Sequence, residues 1–256
     1  MTLPAEEGLP ALASILRQPN RSERRSSEFE KPTSPIPPAA SVIPTQTLGI
    51  QPNVKHRSEL GSGTGCHSKV LVETGANVIC TDISPASLAV LSKVFAAQGL
   101  AVKTFVTSME STPFEDASFD VIVSAGSLSY ADPNKLDDEI IRLLKPNGSF
   151  ICVDSFDHNL IYRFNRWIHW RVIGDRTAST FQRIPTLLRM QNLGLHFGLV
   201  SIEGFGAWAW IYYTLTFLFG QRFAALLTRA FDNLPKSQRL AFKIVFVAQK
   251  LRCGRI

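Results

Sequence analysis

An α/β fold, with a mostly parallel sheet covered by helices on both faces, is what the sequence predicts. Three observations lead there. From Glu59 to Asp154, short β-branched and apolar runs alternate with helix-period segments. A glycine-rich turn, Glu59-Leu-Gly-Ser-Gly-Thr-Gly65, stands ahead of the first of those helices. The run after that helix, Val78-Ile-Cys-Thr-Asp82, ends in an acid. Repeated strand–helix–strand units imply parallel strands with crossover helices. Glycines let the backbone approach a ligand closely, and an acid at that distance along the chain can bind a ribose.

Element by element, Val54–Ser58 should be the first strand. It is an unusual one, since it carries Lys55, His56 and Arg57. A central parallel strand is buried on both faces, where unpartnered charge is costly. A short, frayed strand is expected, or an upstream sequence foreign to the domain. A helix follows over Cys66–Thr74 and a strand over Asn77–Asp82. The helix over Ser84–Gln98 has Ser84 as N-cap and Pro85 at its first position. Strands are expected at Val102–Val106 and Phe119–Ser124, and a helix at Asn134–Leu144. A strand at Ser149–Asp154 is entered through the turn Lys145-Pro-Asn-Gly148. Beyond Asp154 the rhythm changes. Leu160–Val172 and Ile184–Asn192 read as helices, Leu199–Phe205 and Ala241–Gln249 as strands, and Trp208–Phe231 as a largely apolar helix. Gly204–Gly220 is uncharged over 17 residues, at the short end of the roughly 17–25 that a membrane span needs. A buried strand plus helix is the expectation there.

Residues 1–52 hold 9 of the 15 prolines and are expected to be disordered or loosely attached. Residues 53–256 form the folded domain, divided into 53–155, which carries the glycine turn, and a basic, aromatic-rich half, 156–256. The charge is uneven. The net +6 combines a surplus of six acids in residues 59–155 with a surplus of ten bases in 156–256. Such a field favours an anionic substrate, a membrane surface or nucleic acid. Nucleic acid is the least attractive, because no reading motif accompanies the charge. Cys66, Cys80, Cys152 and Cys253 are scattered without a CxxC pair, so they read as reduced thiols, mostly filling the core; neither a zinc site nor a disulfide framework is indicated. Glu6 and Glu7 without an apolar stretch argue against a secretory signal. A cytoplasmic location is expected, with peripheral membrane contact as the alternative. The oligomeric state is not legible.

The turn's spacing decides among nucleoside cofactors. A pyrophosphate site has GxGxxG; here the glycines are Gly61, Gly63 and Gly65, preceded by Glu59. An acid there opposes pyrophosphate but suits a cationic amine or sulfonium. S-adenosylmethionine carries both, plus a ribose for Asp82.

With those residues in view, the chain resembles the class I S-adenosylmethionine-dependent methyltransferases, in the group that includes the ubiquinone and menaquinone methyltransferases. Glu59–Gly65 is similar to the family's first motif, and Asp82 to its ribose-binding acid. Met109-Glu-Ser-Thr-Pro-Phe-Glu-Asp-Ala-Ser-Phe-Asp-Val-Ile-Val-Ser124, Ser127–Tyr130 and Leu143–Phe150 are similar to three further blocks, in the family's order. The resemblance covers about residues 59–155. It implies a Rossmann-like, seven-stranded, mostly parallel sheet with helices on both faces, an antiparallel last strand and a helical insertion before it. It further implies that Glu59, Gly61, Ser62 and Gly63 hold the methionine end, and Asp82 and Ile83 the ribose and adenine. Ser108 and Met109 stand where the family has an acid and a small residue against adenine. Ser124 lies near the sulfonium.

The expected activity is methyl transfer to a small-molecule or glycan acceptor, on an oxygen. An oxygen acceptor needs a base within hydrogen-bond reach. His158, Asp154 and Tyr130 are the candidates, although Asp154 reads equally well as a strand-end cap and Tyr130 as packing. Arg163, Arg166, Arg171, Arg176, Arg183 and Arg189 lie close together in sequence with Asp175 as the single acid among them, an array suited to an anionic acceptor. Two alternatives stand beside this: a quinone or lipid-precursor methyltransferase at the membrane surface, and an inactive cofactor-binding homologue.

Overall fold

The computed structural model describes residues 56–73, 75–168, 171, 178–207, 215–232 and 240–251. The expectations for residues 1–52, for Val54, Lys55, His169, Arg176 and Cys253, and for all of 208–214 fall outside these. In chain order the elements are β1 (His56–Leu60), α1 (Ser68–Val72), β2 (Asn77–Asp82), α2 (Pro85–Ala97), β3 (Lys103–Val106), β4 (Phe119–Ala125), a 3-10 turn (Leu128–Tyr130) and α3 (Pro133–Leu143). They continue with β5 (Leu144–Ser155), α4 (Leu160–Ile168), α5 (Ala178–Gln182), α6 (Leu187–Gly194), β6 (Leu199–Phe205), α7 (Gln221–Asp232) and β7 (Lys243–Gln249).

The seven strands form a single sheet in the order β3-β2-β1-β4-β5-β7-β6. The first five pair in parallel; β7 runs antiparallel to β5, and β6 antiparallel to β7. Period-two alternation sends neighbouring residues to opposite faces. Ile122, Phe150 and Cys152 pack with Leu136, Ile140 and Leu143 of α3 and Met190 and Leu193 of α6. Val121, Val123 and Ile151 pack with Leu88, Leu91 and Phe95 of α2 on the other side. This is the two-sided burial that parallel sheets require.

The start expected for the first strand, Val54 and Lys55, lies outside the described residues; the described strand, His56–Leu60, is short but fully paired. It pairs with β2 along all five residues and with β4 through Arg57–Glu59, and Arg57, Ser58 and Glu59 are buried. Burial holds the Arg57 guanidinium below its usual pKa. The expected turn at Lys145–Gly148 is drawn into β5 as a bulge: β4 advances from Phe119 to Val121 while β5 advances from Leu144 to Ser149. Asn147 there has φ of 65°, a conformation that asparagine tolerates.

Two expectations hold only in part. Cys80 and Cys152 are buried, but Cys66 is exposed, because it lies in the turn before α1 rather than inside a helix. Of the apolar stretch before Gly220, Gly206 and Ala207 are buried as expected, whereas residues 217–219, which are helical, face solvent. Gly220, with φ of 81°, separates that helix from α7. Among the described residues no helix is long and apolar enough to cross a membrane.

Ser108 and Met109 lie in the segment between β3 and β4, which α3 clamps from below. Both the N–H and the hydroxyl of Thr112 donate to Glu139 Oε1 at 2.7 Å. Arg142 holds Glu139 through Nε at 2.8 Å and reaches Asp116 and the Phe114 carbonyl. Although burial works the other way, the Arg142 and Thr112 bonds hold Glu139 below the ordinary carboxylate range. Glu139→Ala leaves buried donors unmatched. It is expected to destabilise the domain by about 2–4 kcal/mol, read as a lower urea midpoint with an unchanged slope.

Candidate functional site

Strand order reverses between β1 and β4, and in open α/β sheets the crevice beyond the carboxyl ends of the strands at such a switch point binds ligands. Five segments meet that crevice. The glycine turn leaves β1, Asp82 and Ile83 leave β2, Ser108 and Met109 follow β3, Ser124–Tyr130 leave β4, and Asp154–His158 leave β5.

The glycine turn is shaped by hydrogen bonds from both sides. Ser62 donates its N–H and its hydroxyl to the Thr81 carbonyl at 2.9 and 3.2 Å. Gly63 N–H donates to Asp82 Oδ2 at 2.8 Å, and Ser84 N–H donates to Asp82 Oδ1 at 2.8 Å. Asp82 therefore ties the turn to the start of α2 and keeps acceptor capacity on both oxygens. Gly61 and Gly63 both have positive φ. A methyl group at Gly61 would meet Ser127 Cβ at 2.6 Å, whereas at Gly63 the corresponding space is open. The backbone is thus bare toward the crevice at Gly63.

Behind the turn, Glu59 is 1% exposed. Its carboxylate accepts from the hydroxyl of Ser68, the first residue of α1. Burial first, with Asp82 nearby adding to it, pushes the Glu59 carboxyl up to about 7, against the pull of the Ser68 bond. Beside the turn the protein therefore holds a buried acid with a single hydroxyl donor, whose ionised form a nearby cation would favour.

The opposite wall is built from serines. Ser124 and Ser127 share a hydrogen bond of 2.6 Å, and Ser127 Oγ donates to the Leu60 carbonyl at 2.9 Å, linking the ends of β4 and β1. Asp154 is buried, and its Oδ2 accepts from Leu128 N–H at 2.9 Å while Oδ1 accepts from Ser155 N–H at 2.6 Å. Burial raises its pKa despite those bonds. Its carboxylate thus caps the 3-10 turn. His158 stacks on Phe156 at 4.3 Å, and its Nδ1 is buried without a hydrogen-bond partner among the described residues. Tyr130 is 55% exposed and Ile83 76% exposed, while Met109 is half-buried and packs on the core. Ser108 is exposed and accepts from Glu110 N–H at 3.2 Å.

The structure thus brings Glu59, Gly61, Ser62, Gly63 and Asp82 into one turn-and-strand unit, with Ser124 across from it. Ser127 and Ser68 are partners that sequence reasoning passed over. Serine is common in turns, and nothing local marks a hydroxyl as the contact of a glycine or an acid distant in sequence. The arginines are arranged otherwise than a free anion-binding array. Arg163 and Arg166 pair with Asp157, Arg183 with Asp132 and Arg189 with Asp137.

Comparison with known proteins agrees with this geometry. Residues 58–152 match the family model described as a methyltransferase domain. An uncharacterised protein of Mycobacterium tuberculosis is 32% identical over 125 residues, 48% of this chain and 43% of the relative. The demethylmenaquinone methyltransferase of Thermus thermophilus is 31% identical over 110 residues, 42% of this chain and 50% of the relative. The chain thus matches about half the length of these relatives or less. The crystal structure of geranyl diphosphate C-methyltransferase from Streptomyces coelicolor, in complex with Mg2+, geranyl diphosphate and S-adenosyl-L-homocysteine, superposes with a TM-score of 0.60 at 16% identity. That match covers 83% of this chain and 79% of the other. Residues 58–152 thus resemble a methyltransferase domain, and the chain shares the fold of a solved methyltransferase.

Glu59 generates a signed pH dependence. A carboxyl whose folded pKa is raised has its stability contribution intact below the unfolded value of 4.5. That contribution is lost as pH rises through about 7. Wild type is therefore expected to lose stability relative to Glu59→Gln between those values, by a plateau difference of about 3 kcal/mol. Melting temperatures of both proteins measured across that range without cofactor check it; parallel curves would remove the assignment.

Proposed function

We propose that the chain transfers the methyl group of S-adenosylmethionine to an apolar small-molecule acceptor. The observation that carries this is the constellation at the switch point: a bare glycine turn held by Asp82, with the buried acid Glu59 behind it. The residues fit the group. Gly63 leaves open space toward the crevice, Asp82 has free lone pairs for ribose hydroxyls, Ile83 and Met109 supply apolar surface, and Glu59 faces the cationic end. When bound, the cofactor supplies a methyl group already activated on a sulfonium sulfur.

The protein's own tasks are then to orient the acceptor in line and exclude water. Glu59 and the Gly61–Gly63 backbone hold the methionine end, Ser108 and Met109 flank the base, and Ser124 borders the reacting centre. Asp154, engaged with two backbone N–H groups, acts as a positioning residue for Leu128 and the 3-10 turn. For an oxygen acceptor we assign the base to His158, the imidazole on the segment that leaves β5. Tyr130 lines the acceptor's entrance.

The acceptor's character follows from the rim. The segments leaving β4 and β5 expose Tyr130, Leu160, Ile161 and Phe164. The arginines expected to read an anion include four engaged by aspartates. Both observations support an apolar acceptor over the glycan or anionic one, and a quinone or lipid precursor is the class that suits them.

Titration calorimetry with S-adenosylhomocysteine tests the cofactor site. Asp82→Ala is expected to weaken binding by about 1.5–3 kcal/mol, roughly ten- to a hundredfold. Unchanged affinity would remove Asp82 from the site. With labelled S-adenosylmethionine and a cell extract, label should enter the organic-soluble fraction. Label confined to polysaccharide would reverse the acceptor reading. His158→Ala should lower the transfer rate about 10²–10⁴-fold with cofactor affinity unchanged, if the methylated atom is oxygen.

A further inference from the structure

We infer that α4 is a docking helix through which the domain sits on an anionic lipid bilayer. The helix is oriented against the usual rule for a globular protein, in which the apolar stripe faces the core. Successive residues turn by about 100° around a helix, so Tyr162 and Arg166 share one side while Leu160, Phe164 and Trp167 share the other. The side facing the protein is the polar and cationic one. Tyr162 stacks on Phe242 at 3.9 Å, Arg166 lies 5.6 Å from the same ring, and Arg166 donates to the Phe156 carbonyl at 3.2 Å. The side facing solvent is apolar: Leu160 is 71% exposed and Phe164 63%, with Ile161 and Trp167 about half exposed. Phe164 and Trp167 stack at 5.9 Å, which presents them as one surface.

Charge selects the occupant. Arg163 borders the apolar side and is half exposed, and Arg171, just beyond the helix, is exposed. From His158 to Gly174 there is no Asp or Glu at all, against Arg163, Arg166 and Arg171. Residues 156–256 carry 14 basic and 4 acidic residues. Asp157, just before the helix, pairs with Arg163 and Arg166, and within the helix aromatic and aliphatic side chains outward with arginines at the boundary are the features of a helix that lies in a headgroup layer. Arginine draws such a helix toward anionic lipid. A second copy of this chain is a poorer occupant, because it would set two cationic surfaces face to face. The same half exposes a second apolar set, Phe217, Leu218, Phe219, Phe223 and Leu226, with Phe217 90% exposed. Exposure of that order is costly in water and is relieved in an interface.

The test is flotation of the full chain with two kinds of vesicle: phosphatidylcholine alone, and phosphatidylcholine with phosphatidylglycerol in equal parts. Its readout is binding, so it stands or falls separately from methyl transfer. The full chain is expected to float with the anionic vesicles, less so as salt is raised, and not with the neutral ones. Phe164→Ser combined with Trp167→Ser, on exposed positions, should keep the circular dichroism spectrum and lower the vesicle-bound fraction by about tenfold or more. Arg163→Gln should weaken binding to anionic vesicles alone. Wild type remaining at the bottom with both vesicles, or the double variant floating as wild type does, would overturn the inference. So would light scattering that shows a dimer in wild type and a monomer in the double variant, which would make the face a contact between copies.

Discussion

One carboxylate holds two loops. Asp82 accepts an N–H from the glycine turn on one oxygen and an N–H from the start of α2 on the other. Since α2 packs on the sheet through Leu88, Leu91 and Phe95, the position of the turn is referred to the core of the domain and not to solvent. Gly65 shows how closely the two fit: a methyl group there would lie 2.8 Å from Leu91. The crevice is therefore a rigid consequence of sheet packing. Its floor, Glu59, is held by Ser68 from the opposite helix.

β1 is a polar strand at the centre of a parallel sheet, and that appears as a contradiction only when it is read alone. Ser58 and Glu59 are buried, with Ser68 donating to Glu59, and the neighbouring strands β2 and β4 supply the backbone pairing. Sites are where local rules are broken, while the rest of the chain supplies the compensating stability. Here that compensation is visible in the apolar runs of β4 and β5, which are nearly continuous.

What sequence could show follows the range of each interaction. The strand Leu199–Phe205 appears at its expected bounds, and the Ser84 cap and Pro85 start of α2 are as expected, because pattern and capping are local. The glycine turn and Asp82 were legible for the same reason. The ion pairs were not. The partners of Arg183 and Arg189 are Asp132 and Asp137, which belong to an earlier helix and its cap, so a window around the arginines shows them unpartnered. The Ser127 contact with Gly61 spans strands that meet only through a crossover. The exposed 217–219 segment misled for a different reason: apolarity in sequence signals burial in something, and protein is only one such medium.

The order of strands carries a consequence for biosynthesis. β6 precedes β7 along the chain but lies outside it in the sheet, so β6 has nothing to pair with until β7 has been made. Until then β5 is an open edge, lined by Phe150, Ile151 and Cys152, of the kind that recruits other strands. A chain emerging from the ribosome can assemble the cofactor-binding half early, whereas its basic half must wait for a late insertion between β5 and β6. Lys250 completes that insertion, its ammonium donating to the carbonyls of Ile141 and Leu144. The topology itself thus sets how long that edge stays open: the time needed to make and place β7, more than eighty residues beyond β5.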